Sequence, residues 1–189
     1  MLLDEFIANE ITKNDGYWAN KFAYQFGGKY VDAFNLKNLD LQLEINRARP
    51  FTYAHYDSVA NYTHYNQPLA HPLGANFQEF IGVLKYQPAP KWYVNAKAIY
   101  YYQGLDSLGE NFGSNPFELY TTRTKDYGFD VGSGNKVKVL NASFVLSYEL
   151  RENLFVEGSY MYRKYTGIAD KSMFGIGIRW NAARREYDY

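Results

Sequence analysis

Apolar and polar residues alternate along much of this chain. Leu39, Leu41, Leu43 and Ile45 are interleaved with Asp40, Gln42, Glu44 and Asn46, and Leu140, Ala142, Phe144, Leu146 and Tyr148 with Asn141, Ser143, Ser147 and Glu149. A period of two over roughly ten residues places the apolar side chains on one face of a β-strand and the polar ones on the other. The alternation predicts seven strands, near residues 18 to 30, 38 to 49, 77 to 87, 91 to 102, 137 to 150, 153 to 165 and 172 to 181. No segment sustains a helical period.

The connections carry the next piece of information. Gln87-Pro88-Ala89-Pro90 and Arg151-Glu152-Asn153 are short enough for hairpins, and the link around Asp32 to Lys37 is only modestly longer, whereas residues 50–76 and 103–136 are far too long for turns. A tilted strand of roughly ten residues crosses a bilayer, and outer-membrane barrels alternate short periplasmic turns with long extracellular loops. The predicted fold is therefore all-β: an antiparallel up-and-down transmembrane β-barrel segment, about seven to eight strands of a larger barrel. If Leu2 to Ala8 adds one strand, the alternative is a complete eight-stranded barrel. The rival is a soluble β-sandwich, in which a second sheet covers the apolar faces.

Assigning a direction to each strand makes an independent prediction about aromatics. The apolar face of the fourth strand reads Trp92, Val94, Ala96, Ala98, Tyr100, Tyr102, aromatic at its ends and aliphatic between. Tyr86, Tyr148 and Trp180 end neighbouring strands on the lower side and Tyr160 and Tyr162 on the upper, while Trp18 opens the first strand. Two such rings of Trp and Tyr are the girdles of a membrane barrel. The opposite faces carry Lys21, Gln25, Glu79, Lys85, Asn95, Lys97, Glu157, Ser159, Arg163 and Arg179, the polar lining expected of an interior.

Composition sharpens this picture at a few points. Nineteen per cent of the residues are aromatic, which suits pleated surfaces and apolar–aqueous boundaries more than helical cores. The formal net charge of zero gives no electrostatic case for nucleic acid. Without cysteine there are no disulfides and no thiolate metal sites. Met1 to Phe6 has neither a basic stretch nor an apolar one, so it is no secretory signal; a barrel would require a longer polypeptide, with an export signal and more strands upstream.

The densest cluster of polar and aromatic side chains is the loop segment 61–76. Its Tyr62, His64, Tyr65, Asn66, Gln67, His71 and Asn76 are the candidate ligand-binding residues, since tyrosine rings stack on sugar faces and Asn, Gln and His offer donors and acceptors to hydroxyls. The alternative is an ordered loop whose amides pair with its own backbone. The three histidines His55, His64 and His71 all fall in the long loop, but at no spacing typical of metal ligation, so no metal and no cofactor is expected. There is no Gly-x-Ser-x-Gly elbow, no phosphate-binding glycine loop and no cysteine nucleophile, and the expectation is a protein without enzymatic activity. The second loop, Gly104 to Asn135, is glycine-rich with balanced charges and reads as flexible and external, and Arg184 to Tyr189 as a short periplasmic extension.

Tyr62 to Phe77, together with Trp18-Ala19-Asn20-Lys21, Lys37 to Gln42 and Arg49-Pro50-Phe51-Thr52-Tyr53, resembles the Wzi-like capsule-assembly outer-membrane proteins, in the branch that includes RemB-like gliding-motility proteins. The resemblance covers most of the chain. It implies that residues 1–189 are the C-terminal part of a single outer-membrane β-barrel domain in a Gram-negative cell, with 50–76 and 103–136 outside. The implied partners are outer-membrane lipid and surface polysaccharide, or other surface or motility proteins, in capsule attachment, adhesion or gliding. Phe174, Ile176, Ile178 and Trp180 resemble the aromatic-ended final strand that barrel-insertion machinery reads. Two functional alternatives stand beside this: a porin-like solute channel and a soluble carbohydrate-binding module.

Overall fold

The computed structural model describes residues 16–181 except 66 and 108. The eighth strand expected from Leu2 to Ala8 and the tail from Arg184 lie outside the described residues. The chain is all-β: β1 (Ala23–Tyr30), β2 (Leu39–Ala48), β3 (Thr63–His64), β4 (Gln67–Pro68), β5 (Phe77–Tyr86), β6 (Trp92–Leu105), β7 (Asn135–Arg151), β8 (Leu154–Tyr165) and β9 (Ile168–Trp180). Seven strands form one antiparallel sheet in the order β1-β2-β5-β6-β7-β8-β9, and β3 and β4 form a separate two-stranded sheet. Long strands are thus neighbours in both sequence and space, an up-and-down meander. Closure into a barrel is not found among the described residues; β1 and β9 are the two borders of the sheet.

All seven expected strands end within about three residues of their predicted limits, and only β1 and β9 start further away than that. Lys91 and Asn153 take the left-handed backbone needed to reverse the chain at the β5–β6 and β7–β8 turns. β9 begins earlier than expected, at Ile168, because Thr166-Gly167 makes a tight turn with Gly167 at φ 78°. The expected link of several residues there is a correction.

Two compact units divide the described chain. The unit made of 27–43, 81–99 and 140–181 is a single sheet layer. Its strand faces are fixed by contacts: Trp92 meets Tyr148 at 4.7 Å, Tyr160 meets Phe174 at 4.7 Å, and Leu154, Val156 and Tyr160 stand opposite Trp180, Ile178 and Phe174. That apolar face is uncovered. Leu43 is 71% exposed and Ile176 91%, so the second sheet of the sandwich alternative is not present in this unit. Tyr86, Trp92, Tyr148 and Trp180 sit on one end of the face, and Tyr160 and Tyr162 toward the other, with Leu154 to Tyr162 extending about 27 Å along β8. The opposite face is polar and internally paired. Lys29 meets Asp40 at 2.7 Å, Glu157 accepts from Arg179 at 2.8 Å and from Ser147 at 2.9 Å, and the Arg179 guanidinium lies 4.1 Å over Phe155.

The other unit, 16–26, 44–80 and 100–139, holds the long loops, and they are packed. Ala48, Ala75 and Phe77 form a buried cluster with Tyr53 and Leu73 against it. Phe51 is fully buried, edge-on to Phe129 at 5.0 Å. Gly113, at φ 70°, lies with its backbone against Phe51, where a Cβ would collide. Arg49 is buried and donates to the carbonyls of Asn20 at 2.9 Å and Phe129 at 3.1 Å. The flexibility expected for 104–135 is therefore corrected: Asn111, Ser114 and Phe129 are buried in an ordered layer. A long segment can be ordered when its backbone polar groups find protein partners, and here the buried amides and Arg49 provide them.

Candidate functional site

A cleft of about 580 Å³ opens within the loop unit, between segment 18–21, residues 52–62 and Tyr120. Its walls are aromatic: Trp18, Tyr53, His55, Tyr62 and Tyr120, with Thr52, Ala54 and Ala60 between them. Tyr53 and Tyr62 stack at 5.9 Å and 27°, held by a hydrogen bond from the Tyr62 N–H to the Tyr53 carbonyl at 3.0 Å. Buried Asn61 fixes the bend below them by accepting from the His55 N–H. Tyr120 is tied to the same strip, its N–H donating to the His55 carbonyl at 3.3 Å.

Lys21 is the cation of the cleft. Its Nζ donates to the Ala54 carbonyl at 2.8 Å and lies 4.0 Å from the Tyr120 ring centre and 5.1 Å from that of Trp18. Burial first, and the Arg123 charge second, draw its pKa down to about 8. Arg123 stacks on Trp18 at 3.8 Å and pairs with Asp126 at 2.9 Å. Burial raises the Tyr53 phenol, with Tyr62 adding to the effect, so the Tyr53 hydroxyl stays a neutral donor at pH 7. Among the described residues no Asp or Glu lines the cleft. Stacking rings, three phenols and one ammonium can hold a polyhydroxylated ligand.

The sequence candidates separate in space. Tyr62 lines the cleft. His64 and Gln67 pair across the β3–β4 hairpin, whose turn presents Tyr65 at 88% exposure against the His64 ring at 4.3 Å. Asn66 lies outside the described residues. His71 instead packs on Phe77 at 4.4 Å, and its Nε2 bonds Glu79 at 3.0 Å while Nδ1 accepts from the Leu73 N–H at 3.2 Å. Asn76 is wholly buried: Nδ2 donates to the Phe112 carbonyl at 3.1 Å and the Ser133 carbonyl at 2.9 Å, and Oδ1 accepts from Gly132 at 2.7 Å. With its amide consumed, Asn76 has no group left for a ligand, which corrects its candidacy.

Two more residues change place. β1 starts at Ala23, so Trp18 and Lys21 precede it; Trp18 belongs to the cleft and not to a girdle, and Lys21 does not lie on the polar strand face. Tyr102 remains on its strand, with its hydroxyl donating to Gln78 at 2.8 Å and Lys136 4.3 Å from its ring. Lys21, Tyr53, His55 and Tyr120 were not among the sequence candidates, although the resemblance rests partly on the segments holding Trp18, Lys21 and Tyr53. Among the described residues no three His, Asp or Glu side chains stand together as metal ligands. Comparison with family models, curated proteins and solved structures finds no match.

Proposed function

We propose that this chain is a wall segment of an outer-membrane β-barrel of the Wzi-like, RemB-like type, with loops that engage surface polysaccharide or a partner surface protein. In this role it is a non-enzymatic binding and organising element in capsule attachment, adhesion or gliding, in the envelope of a Gram-negative cell. The observation that carries the proposal is the uncovered apolar sheet face with Trp92, Tyr148 and Trp180 at one end and Tyr160 and Tyr162 at the other, backed by an ion-paired polar face. Water gives such a face no reason to stay uncovered; hydrocarbon does, and Trp and Tyr favour its boundary. The aromatic cleft and the exposed Tyr65 supply stacking surfaces within the loop unit.

The three tryptophans supply the test. After refolding into vesicles, bilayer-depth quenching by brominated lipids should extinguish Trp92 and Trp180 emission in single-tryptophan variants and spare Trp18. Equal quenching of all three, or a monomer that folds in water without detergent, would overturn the membrane assignment.

A further inference from the structure

Polysaccharide repeats are neutral or charged, and the cleft discriminates between them. It contains one ammonium, Lys21, whose near neighbours are a carbonyl and two aromatic rings, and a second cation, Arg123, stands close enough to repel it. Arg123 itself is paired with Asp126. A half-buried cation held by one carbonyl and two ring faces, with no carboxylate paired to it, carries an unmet desolvation cost. A bound anion would offset that cost.

Resting on the polysaccharide reading above, we propose that the cleft between Trp18, Tyr53, Tyr62 and Tyr120 holds a carboxylated sugar, a uronate residue of a surface glycan, with the Lys21 ammonium pairing its carboxylate. The sugar ring faces the Tyr53–Tyr62 pair, whose phenols reach its hydroxyls. One ammonium matches the single charge of a carboxylate; a phosphate, carrying about −1.5 to −2, would need a second donor such as Arg123, already committed to Asp126. Burial and the Arg123 charge lower the amine pKa, and a bound carboxylate returns it toward the ordinary lysine range.

The experiment is calorimetry of the full chain in detergent micelles with trigalacturonate and with its fully methyl-esterified form, which removes the charge and keeps the ring. The acid should bind at least tenfold more tightly than the ester, Lys21→Gln should abolish that difference, and Lys21→Arg should restore most of it, on the order of the strength of a charged hydrogen bond. Each variant is first shown to fold by unchanged circular dichroism and heat-modifiable migration. Equal binding of acid and ester, or a Lys21→Gln variant that still prefers the acid, overturns the uronate assignment and leaves polysaccharide binding intact. Absence of binding to both sugars, and to polysaccharide extracted from the cell surface, overturns both.

Discussion

Asn76 and Gly104 are joined twice: the Gly104 N–H donates to the Asn76 carbonyl at 2.9 Å, and the Asn76 side-chain amide donates back to the Gly104 carbonyl at 2.8 Å. A Cβ on residue 104 would strike the Ser133 carbonyl and the Asn76 amide, so the glycine is what lets the two chains meet. Through this pair the first long loop is fastened to the second, because the same amide also reaches Phe112 and Ser133.

Replacing Asn76 with alanine strands three carbonyls and the Gly132 N–H in a buried place. The expected loss is on the order of 3 kcal/mol, the scale of several unmet buried polar groups. Limited proteolysis should then cut within 50–76 and 106–134 while the long strands stay protected. Uniform protection would show that the loops hold without this amide.

Lys21 makes stability depend on pH in the alkaline range. Its folded pKa, about 8, lies below the unfolded 10.5, so between those values the unfolded chain binds more protons and stability rises with pH. Below pH 8 the amine is charged in both states and the benefit is gone. Tyr53, raised by burial, opposes the rise only above pH 10. Urea midpoints measured from pH 7.5 to 10 should climb for the native chain and stay flat for Lys21→Met. A parallel climb in both would remove Lys21 as the cause.

Ile176 separates the membrane reading from any aqueous one. At 91% exposure, Ile176→Lys would be harmless or helpful on a sheet in water. At the depth of a bilayer midplane it should cost about 2–4 kcal/mol of folding into vesicles. Lysine scanning along β9 should show the largest penalty near Ile176 and a small one at Trp180.

His71 and Glu79 form a couple that a double-mutant cycle can weigh. The Leu73 N–H occupies Nδ1, so the ring proton sits on Nε2 and points to the Glu79 carboxylate. Glu79 also accepts from Asn46 at 2.9 Å. His71→Ala, Glu79→Gln and the double variant should reveal a coupling of about 1–2 kcal/mol in thermal unfolding, typical of a shielded, charge-assisted bond. Additive effects would reduce the contact to mere proximity.

The seven long strands were legible because a two-residue period is local information: Leu39 to Asn46 announces its faces without help from any distant residue. The same signal ran too far at the first strand, carrying Trp18 and Lys21 into a pattern whose hydrogen-bonded ladder begins only at Ala23. At β9 it stopped too soon, since Asp170 and Lys171 blur the alternation that Ile168 already starts. The order within the loops was invisible for a different reason. Arg49 reaches Phe129 across 80 residues, and no local period encodes that meeting. Asn76 misled because a polar side chain in a loop looks the same in sequence whether it serves a ligand or a carbonyl.

Among the described residues the sheet has two borders, β1 and β9, each with a ladder of amide donors and acceptors along one side. Oil cannot solvate such a ladder, and a raw border immersed there would forfeit several kcal/mol at every open peptide group. For a wall bathed in hydrocarbon, seaming those margins to further strands must accompany immersion and not follow it, so the act of joining and the act of entering the bilayer become one event.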